Sequence, residues 1–525
     1  MDVVAGARAH GLGDVLHRSA ARHPDRVALV WDGRRQTYRS LDGSVNATAH
    51  ALAERGVGRR DRIAVLSHNC REFVVVYLAL ARLGAISVPV NFMLGAEEIA
   101  FILGHAGAVG MVVESALAAT AEAAVAASGL PVDRVRGQIP MPGQDTVAGW
   151  EPVADWERHP DRSAPAVTVG DDDPVQLMYT SGTESRPKGV TLSSRSILAQ
   201  YVSCIVDGGM TADDVEVHAL PFYHCAQLHC FLGPDLYLGA TSIILPGPDP
   251  GLILATVERE RATKLFCPPT VWISLLRSPA FDAHDLTSLR KGYFGASAMP
   301  VEVLKELQAR LPDVDLWNLY GQTEMAPLAT ILGPGEQLSR PGSAGRAALN
   351  VETRVVDDDG TDVAPGAVGE IVHRSPHAML GYWDDEARTA DAFRGGWFHS
   401  GDLGVLDADG YLSVVDRKKD MIKTGGENVA SREVEEVLFE HPGVAEVAVF
   451  GVRHPHWIEA VVAVVVAKGD GVDEAGLIAF ARARLAGYKV PKHVVVVDEL
   501  PKNPSGKILK RDLRVRFADL ADPTR

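Results

Sequence analysis

Cysteine is scarce in this chain of 525 residues: Cys70, Cys204, Cys225, Cys230 and Cys267, odd in number and irregularly spaced. Five such residues do not make a disulfide framework, so a reducing, cytoplasmic setting is expected. Long apolar runs are missing as well. Residues 1–16 hold no stretch fit for a signal peptide. Phe73 to Phe92 is interrupted by Arg82, Gly84 and Pro89, and Ala460 to Ala467 is only strand-length, so no transmembrane segment is expected. Positive charge is in deficit: Lys+Arg 52 against Asp+Glu 68 gives a formal net charge of −16. An acidic chain is a poor general binder of nucleic acid or anionic membrane. No nucleic-acid partner is expected, and any phosphate site has to be a local basic island. Repeats and low-complexity tracts are absent too.

What is present is a globular composition, 46% hydrophobic and 23% charged. At about 150 residues per domain the length implies three to four structural units, or two large ones. Short β-branched runs alternate with helical stretches. Strands are read at Arg62 to Ser67, Ala85 to Val90, Val109 to Val113 and Thr241 to Leu245, with helices at Arg71 to Leu83 and Ala116 to Ala127. This alternation predicts an α/β fold with parallel, helix-covered sheets. Gly137 to Asp173, rich in Pro, Gly and Asp, reads as a surface connection. The texture changes near Asp416. A helix at Glu433 to Glu440, strands at Val444 to Val452 and Ala460 to Ala467, a helix at Glu474 to Leu485 and a strand at Val494 to Val497 predict a small α+β domain. The expected division is 1–417 for a large N-terminal domain and 418–525 for the small one.

Four segments carry chemistry. The first, Tyr179-Thr-Ser-Gly-Thr-Glu-Ser-Arg-Pro-Lys-Gly-Val190, follows a strand at Val175 to Met178. Its glycines and hydroxyls can converge on phosphate oxygens, with Lys188 adding charge. A polar hairpin explains the glycine and serine but not the density of hydroxyls beside Lys188. The spacing fails the Walker pattern, which argues against a P-loop NTPase. The second, Asn318-Leu-Tyr-Gly-Gln-Thr-Glu-Met-Ala-Pro327, starts on a strand at Leu316 to Tyr320. Polar groups at a strand's carboxyl end are where open α/β sheets bind ligands. Thr323 can donate to a phosphate and Glu324 can hold a hard cation. The third, His399-Ser-Gly-Asp-Leu-Gly404, offers Asp402 after a glycine; alone it reads as an Asp-turn. The fourth, Leu500 to Leu513, is a basic patch in an acidic chain. Gly506-Lys507 sits there between turn formers and Ile508-Leu509, which would hold one lysine in place rather than leave it on a solvated tail.

In this order the four segments resemble the AMP-forming acyl-CoA synthetases, within the adenylate-forming superfamily that also holds luciferases and nonribosomal adenylation domains. The resemblance runs from about Asp14 to Leu513. It implies a large N-terminal domain of helix-covered β-sheets and a small, mobile α+β C-terminal domain that turns about Lys419. It implies ATP, Mg²⁺ and coenzyme A, and a small-molecule carboxylic acid as substrate. Thr180, Ser181, Gly182, Thr183 and Lys188 would grip the β- and γ-phosphates. Gly295, Ala296, Ser297 and the run Asn318 to Tyr320 would line the adenine, and Gly321 would belong to the ATP/AMP site. Thr323 would contact the α-phosphate, and Thr180 and Glu324 match the Mg²⁺ positions. Asp402 and Arg417 would hold the ribose, and Lys507 would bridge carboxylate and α-phosphate. Gly425 and Gly426 match the segment that lines the pantetheine tunnel after rotation.

The chemistry agrees with that resemblance. A carboxylate attacking the ATP α-phosphate brings two anions together, so the site must cancel charge first. Two half-reactions with different nucleophiles need different surroundings, which is a reason for a swivelling domain. The resemblance also implies that Phe222, Tyr223, His224, Leu228 and Gly295 lie at the acyl pocket, with His224 at its entrance. Gly292, Gly295 and Ala296 would leave room for bulk. The pairs His224-Cys225 and His229-Cys230 lack zinc spacing and read as pocket wall or core. No Asp stands ready for an α-ammonium and no Arg for a second carboxylate, so a hydrophobic acid is expected: fatty, aromatic, alicyclic or terpenoid. The chain ends soon after Lys507 and Gly369 to Tyr382 shows no insertion, which favours CoA over a carrier protein as acceptor. A luciferase-like oxygenase and a non-catalytic binding protein are the other readings. Glu184 and Ser185, where many relatives have Thr-Gly, predict weaker ATP use. Oligomeric state stays open, a homodimer included.

Overall fold

The computed structural model describes residues 7–520 except 9, 181–186, 298, 419, 425–426, 470–471 and 504–505. Three sheets organise the chain. An eight-stranded sheet has a parallel centre, in which Arg62–Leu66 pairs with both Ile86–Val90 and Gly110–Glu114. Its far side carries Pro174–Thr180 and the antiparallel strand Lys188–Ser193. A thirteen-stranded sheet has a parallel half that includes Val215–His218, Lys264–Phe266, Lys291–Gly295 and Asp315–Gly321. The helix Arg71–Leu83 is buried almost all round, as its apolar run from Phe73 to Ala81 requires. The Cys70 thiol caps its N-terminus by accepting from the Phe73 amide, and Gly84 ends it at φ 65°.

From Leu328 the thirteen-stranded sheet continues antiparallel, through Leu328–Leu332, Ser343–Ala347, Leu412–Arg417, Phe398–Leu406, Val368–Arg374 and Glu352–Val356. The parallel pairing expected from the strand–helix alternation does not extend there. These strands bury a small core of their own around Ala344, Val355, Ile371 and Leu412, so their apolar signal is thin. The stretch from Gly137 to Asp173 also differs from a plain surface connection. It is anchored by Trp156, fully buried against Gly137, where a Cβ would stand 2.3 Å from the indole.

From Ile422 onward the strands form a separate five-stranded sheet. Val444–His454 and Ile458–Ala467 pair antiparallel along their length, and His493–Val497 joins in parallel. Period-two alternation splits their side chains between two faces. Val449, Val461 and Ala463 pack with Val434, Leu438 and Leu477, while Phe450, Val462 and Val464 pack with Leu500 and Leu513. Among the described residues, the buried members of both cores come only from this part of the chain.

Candidate active site

The turn Thr323–Met325 follows the carboxyl end of Asp315–Gly321 and sits at the centre of the candidate site. Thr323 Oγ1 lies 3.2 Å from Cys225 Sγ. Burial pushes that thiol up to about 12, so it stays S–H. Glu324 is buried, and the Tyr382 hydroxyl donates to its Oε1 at 2.9 Å. The Lys188 ammonium stands 5.0 Å from the centroid of the same Tyr382 ring. Lys188 opens its strand directly opposite Thr180, so these two expected phosphate residues are cross-strand neighbours. Ser181, Gly182, Thr183, Glu184 and Ser185 lie outside the described residues, as do Lys419, Gly425 and Gly426.

On the other side of the turn, the Tyr320 hydroxyl donates to Asp402 Oδ2 at 2.7 Å. Asp402 and Arg417 are opposite each other on adjacent antiparallel strands, with Nε 3.5 Å from Oδ1. Asp402 is therefore not on an Asp-turn. Gly401, at φ 72°, bends the strand Phe398–Leu406 without ending it. Asn318 uses its amide on the Ser343 carbonyl at 2.8 Å. Ala296 and Ser297 are exposed just past Gly295. The room for bulk expected from glycine is not there: a Cβ on Gly292 would meet Leu316 at 2.8 Å, and one on Gly295 the Leu319 carbonyl at 2.5 Å. Those glycines serve close strand packing.

The segment after Leu220 forms an aromatic wall. Phe222 packs on Phe73, with centroids 5.7 Å apart. Tyr223 stands edge-on to Phe92 at 5.3 Å, and Phe92 stacks on His68 at 3.8 Å. The Tyr223 hydroxyl is buried without a hydrogen-bond partner among the described residues. His224 is held down to about 4 by burial and by the positive charge of Lys507. Its Nδ1 accepts from the Ala226 amide at 3.2 Å, which leaves the proton on Nε2. A π-helical turn, Ala226–Leu232, follows and buries Leu228; such turns concentrate at functional sites. His229, Cys225 and Cys230 are buried wall residues. Among the described residues, only Glu216, His218 and Asp235 bring metal-ligand atoms together. Lys264 already supplies a cation there, 2.7 Å from Glu216 and paired with Asp235.

Lys507 is tied to Asn503 by two hydrogen bonds. Its amide donates to Asn503 Oδ1 at 2.8 Å, and its carbonyl accepts from the Asn503 amide at 2.9 Å. Gly506 takes φ 79°, and its carbonyl accepts from Thr270 Oγ1, on the helix Pro269–Arg277, at 3.1 Å. Contacts and chain neighbours thus lead from Lys188 through Tyr382, Glu324, Thr323 and Cys225 to His224, which feels the charge of Lys507, while Tyr320, Asp402 and Arg417 form a second connected group. Tyr382 and Thr270 are the participants that sequence reasoning missed. Neither lies in a glycine-rich or charged segment, and only Gly381 before Tyr382 hinted at a special backbone.

Residues 16–383 match the AMP-binding enzyme family, and residues 433–507 match the AMP-binding enzyme C-terminal domain. A feruloyl-CoA synthase from Amycolatopsis sp is 38% identical over 97% of this chain and 100% of its own length. An indoleacetate–CoA ligase from Aromatoleum aromaticum is 36% identical over 96% of this chain and 97% of its own. The crystal structure of the anthranilate CoA ligase AuaEII in complex with anthranoyl-AMP superposes with a TM-score of 0.91 at 28% identity, covering 98% of each chain.

Proposed function

The chain belongs to the AMP-binding enzyme family, as an AMP-forming acyl-CoA synthetase of the adenylate-forming superfamily, and from that premise we propose that its substrate is an aromatic carboxylic acid. The supporting observation is the edge-to-face pair of half-buried rings Phe92 and Tyr223 beside His224, backed by the fully buried Phe222 and Phe73. Flat rings on that wall gain offset-stacked and edge contacts with an aryl acid that a straight alkyl chain does not. Relatives named for ferulate and indoleacetate support the same class.

In this reading Lys507 neutralises the acid's carboxylate and the ATP α-phosphate as they meet. Thr323 donates to that phosphate, and Lys188 and Thr180 hold the outer phosphates. Tyr320, Asp402 and Arg417 hold the nucleoside. Glu324 fits a hard cation: it is a buried carboxylate with oxygen ligands to offer and no ion-pairing partner among the described residues. Glu324 and Thr180 would hold Mg²⁺, which when bound supplies positive charge to the phosphates. His224, kept neutral, adds no charge at the pocket mouth and can change rotamer between steps. The small domain then turns, withdraws Lys507 and admits CoA, whose thiol displaces AMP. Separate small-domain cores support such a motion, and so do the polar contacts that Arg432 makes to the Val414 and Gly342 carbonyls.

A screen of acid-dependent ATP–pyrophosphate exchange, repeated with CoA to follow thioester, tests the proposal. Cinnamate- and arylacetate-type acids are expected to support both reactions better than straight-chain acids of equal carbon number. Preference for the alkyl series would overturn the substrate class, and absence of exchange with every acid would overturn the catalytic reading.

A further inference from the structure

Tyr382 stands between two charged groups of the phosphate site and belongs to neither of their motifs. Its hydroxyl donates to Glu324 Oε1 at 2.9 Å, and the Lys188 ammonium lies 5.0 Å from its ring centroid. Its backbone is held on several sides. Gly381–Tyr382 forms an edge strand opposite Thr191 and Val190. The Tyr382 amide donates to Thr389 Oγ1 at 2.9 Å, and the Trp383 amide to the Gly189 carbonyl at 2.7 Å. Gly381 sits at φ 149° so close to Thr389 that a Cβ would stand 2.8 Å from Thr389 Cγ2. The Met379 amide donates to the Glu324 carbonyl at 2.8 Å. One short segment therefore grips Glu324 by main chain and side chain while it is zipped to the strand that carries Lys188.

A lysine and a buried carboxylate that share one side-chain neighbour are candidates for an ion pair with each other. Such a pair would leave Lys188 unavailable to phosphate and Glu324 unavailable to a cation. Tyr382 instead contacts both, offering the ammonium a π face and the carboxylate a hydroxyl. We propose that Tyr382 is a positioning residue of the metal–phosphate site: its hydroxyl ties Glu324 Oε1 and leaves Oε2 for the divalent cation, while its ring keeps Lys188 apart from Glu324 and free for phosphate. The inference rests on the assignment of Glu324 and Lys188 given above.

Two variants of the full-length protein separate the two roles. Tyr382→Phe keeps the ring and removes the hydroxyl. It is expected to weaken Mn²⁺ binding to the ATP-saturated protein, read by electron paramagnetic resonance, about tenfold, with ATP affinity in EDTA unchanged. Tyr382→Leu removes both and is expected to lower ATP affinity in EDTA as well, read by calorimetry. Adding Glu324→Gln to Tyr382→Leu removes the competing carboxylate and is expected to restore that metal-free affinity. Wild-type Mn²⁺ binding in Tyr382→Phe overturns the carboxylate role. Unchanged metal-free affinity in Tyr382→Leu, or no recovery in the double variant, overturns the spacer role. A wild-type protein that fails to bind ATP points instead to failure of the underlying site assignment.

Discussion

Thr270 Oγ1 donates to the Gly506 carbonyl at 3.1 Å, one residue before Lys507 and from a helix of the larger sheet assembly. The approach is tight, because a Cβ on Gly506 would stand 2.4 Å from Thr270 Oγ1, and φ 79° adds strain for any other residue. Gly506→Ala is therefore expected to unseat Lys507 and cut pyrophosphate exchange strongly, while thioester formation from a supplied acyl-adenylate survives. Adding Thr270→Ala removes the clashing hydroxyl and should recover part of the loss. Lys507→Ala should give the same split in its extreme form. Equal loss of both half-reactions in Lys507→Ala would refute the division of labour.

Cys225 meets Thr323 at 3.2 Å with its thiol protonated. A thiol that donates to Thr323 Oγ1 leaves the threonine proton free for a phosphate oxygen. Cys225→Ser keeps a donor and should retain most of the exchange activity. Cys225→Val keeps the bulk, loses the donor, and should cost about 1 kcal/mol in the exchange rate, roughly fivefold, with a Tm close to wild type. Equal losses in the two variants would assign the effect to packing instead.

Ile458 adopts φ 70° while 61% exposed, at the turn into the strand Ile458–Ala467. A β-branched residue in the left-handed region costs about 1–2 kcal/mol. Glycine at that position pays roughly 0.5–1 kcal/mol in chain entropy, and little burial is lost. Ile458→Gly is thus expected to stabilise the protein by about 0.5–1 kcal/mol in thermal unfolding; a lower Tm would contradict the strain argument.

The parallel strands and the buried helix Arg71–Leu83 were legible because runs such as Arg62–Leu66 are apolar on both faces and end at turn formers. The antiparallel extension was not. Strands such as Glu352–Val356 bury only part of one face, so their alternation is weak. Lys188, Thr323, Glu324 and Lys507 stood out in sequence as charged or hydroxyl residues beside glycine. Tyr382 did not, since its role comes from contacts with residues 58 and 194 positions away that only the sheet pairing brings near. The glycine reading failed for a related reason. Sequence shows that Gly292 lacks a side chain but not that Leu316 from the next strand already fills the space.

Acid sensitivity follows from three fully buried histidines. Burial pulls His229 and His373 down to about 3 and His377 to about 4, from an ordinary value near 6.5. Each is neutral when folded and takes up a proton on unfolding once the pH drops below about 6.5. The unfolded state then binds more protons, so stability rises with pH, and each histidine contributes a slope of about 1.4 kcal/mol per pH unit. That stability is fully present above pH 6.5 and is lost as the pH falls toward the folded pKa. Depressed carboxylates such as Asp420 act only lower, below the ordinary carboxylate range. His377 Nδ1 donates to the Leu328 carbonyl at 2.9 Å and its Nε2 accepts from Ser203 Oγ at 3.0 Å, a pairing that Gln can partly imitate. Urea unfolding of His377→Gln between pH 6.5 and 5 should therefore show lower stability at neutral pH but a shallower pH slope, by up to about 1.4 kcal/mol per unit at the acid end. A slope equal to that of the wild type would mean that His377 is already charged inside the fold, and the burial argument for all three would fall with it.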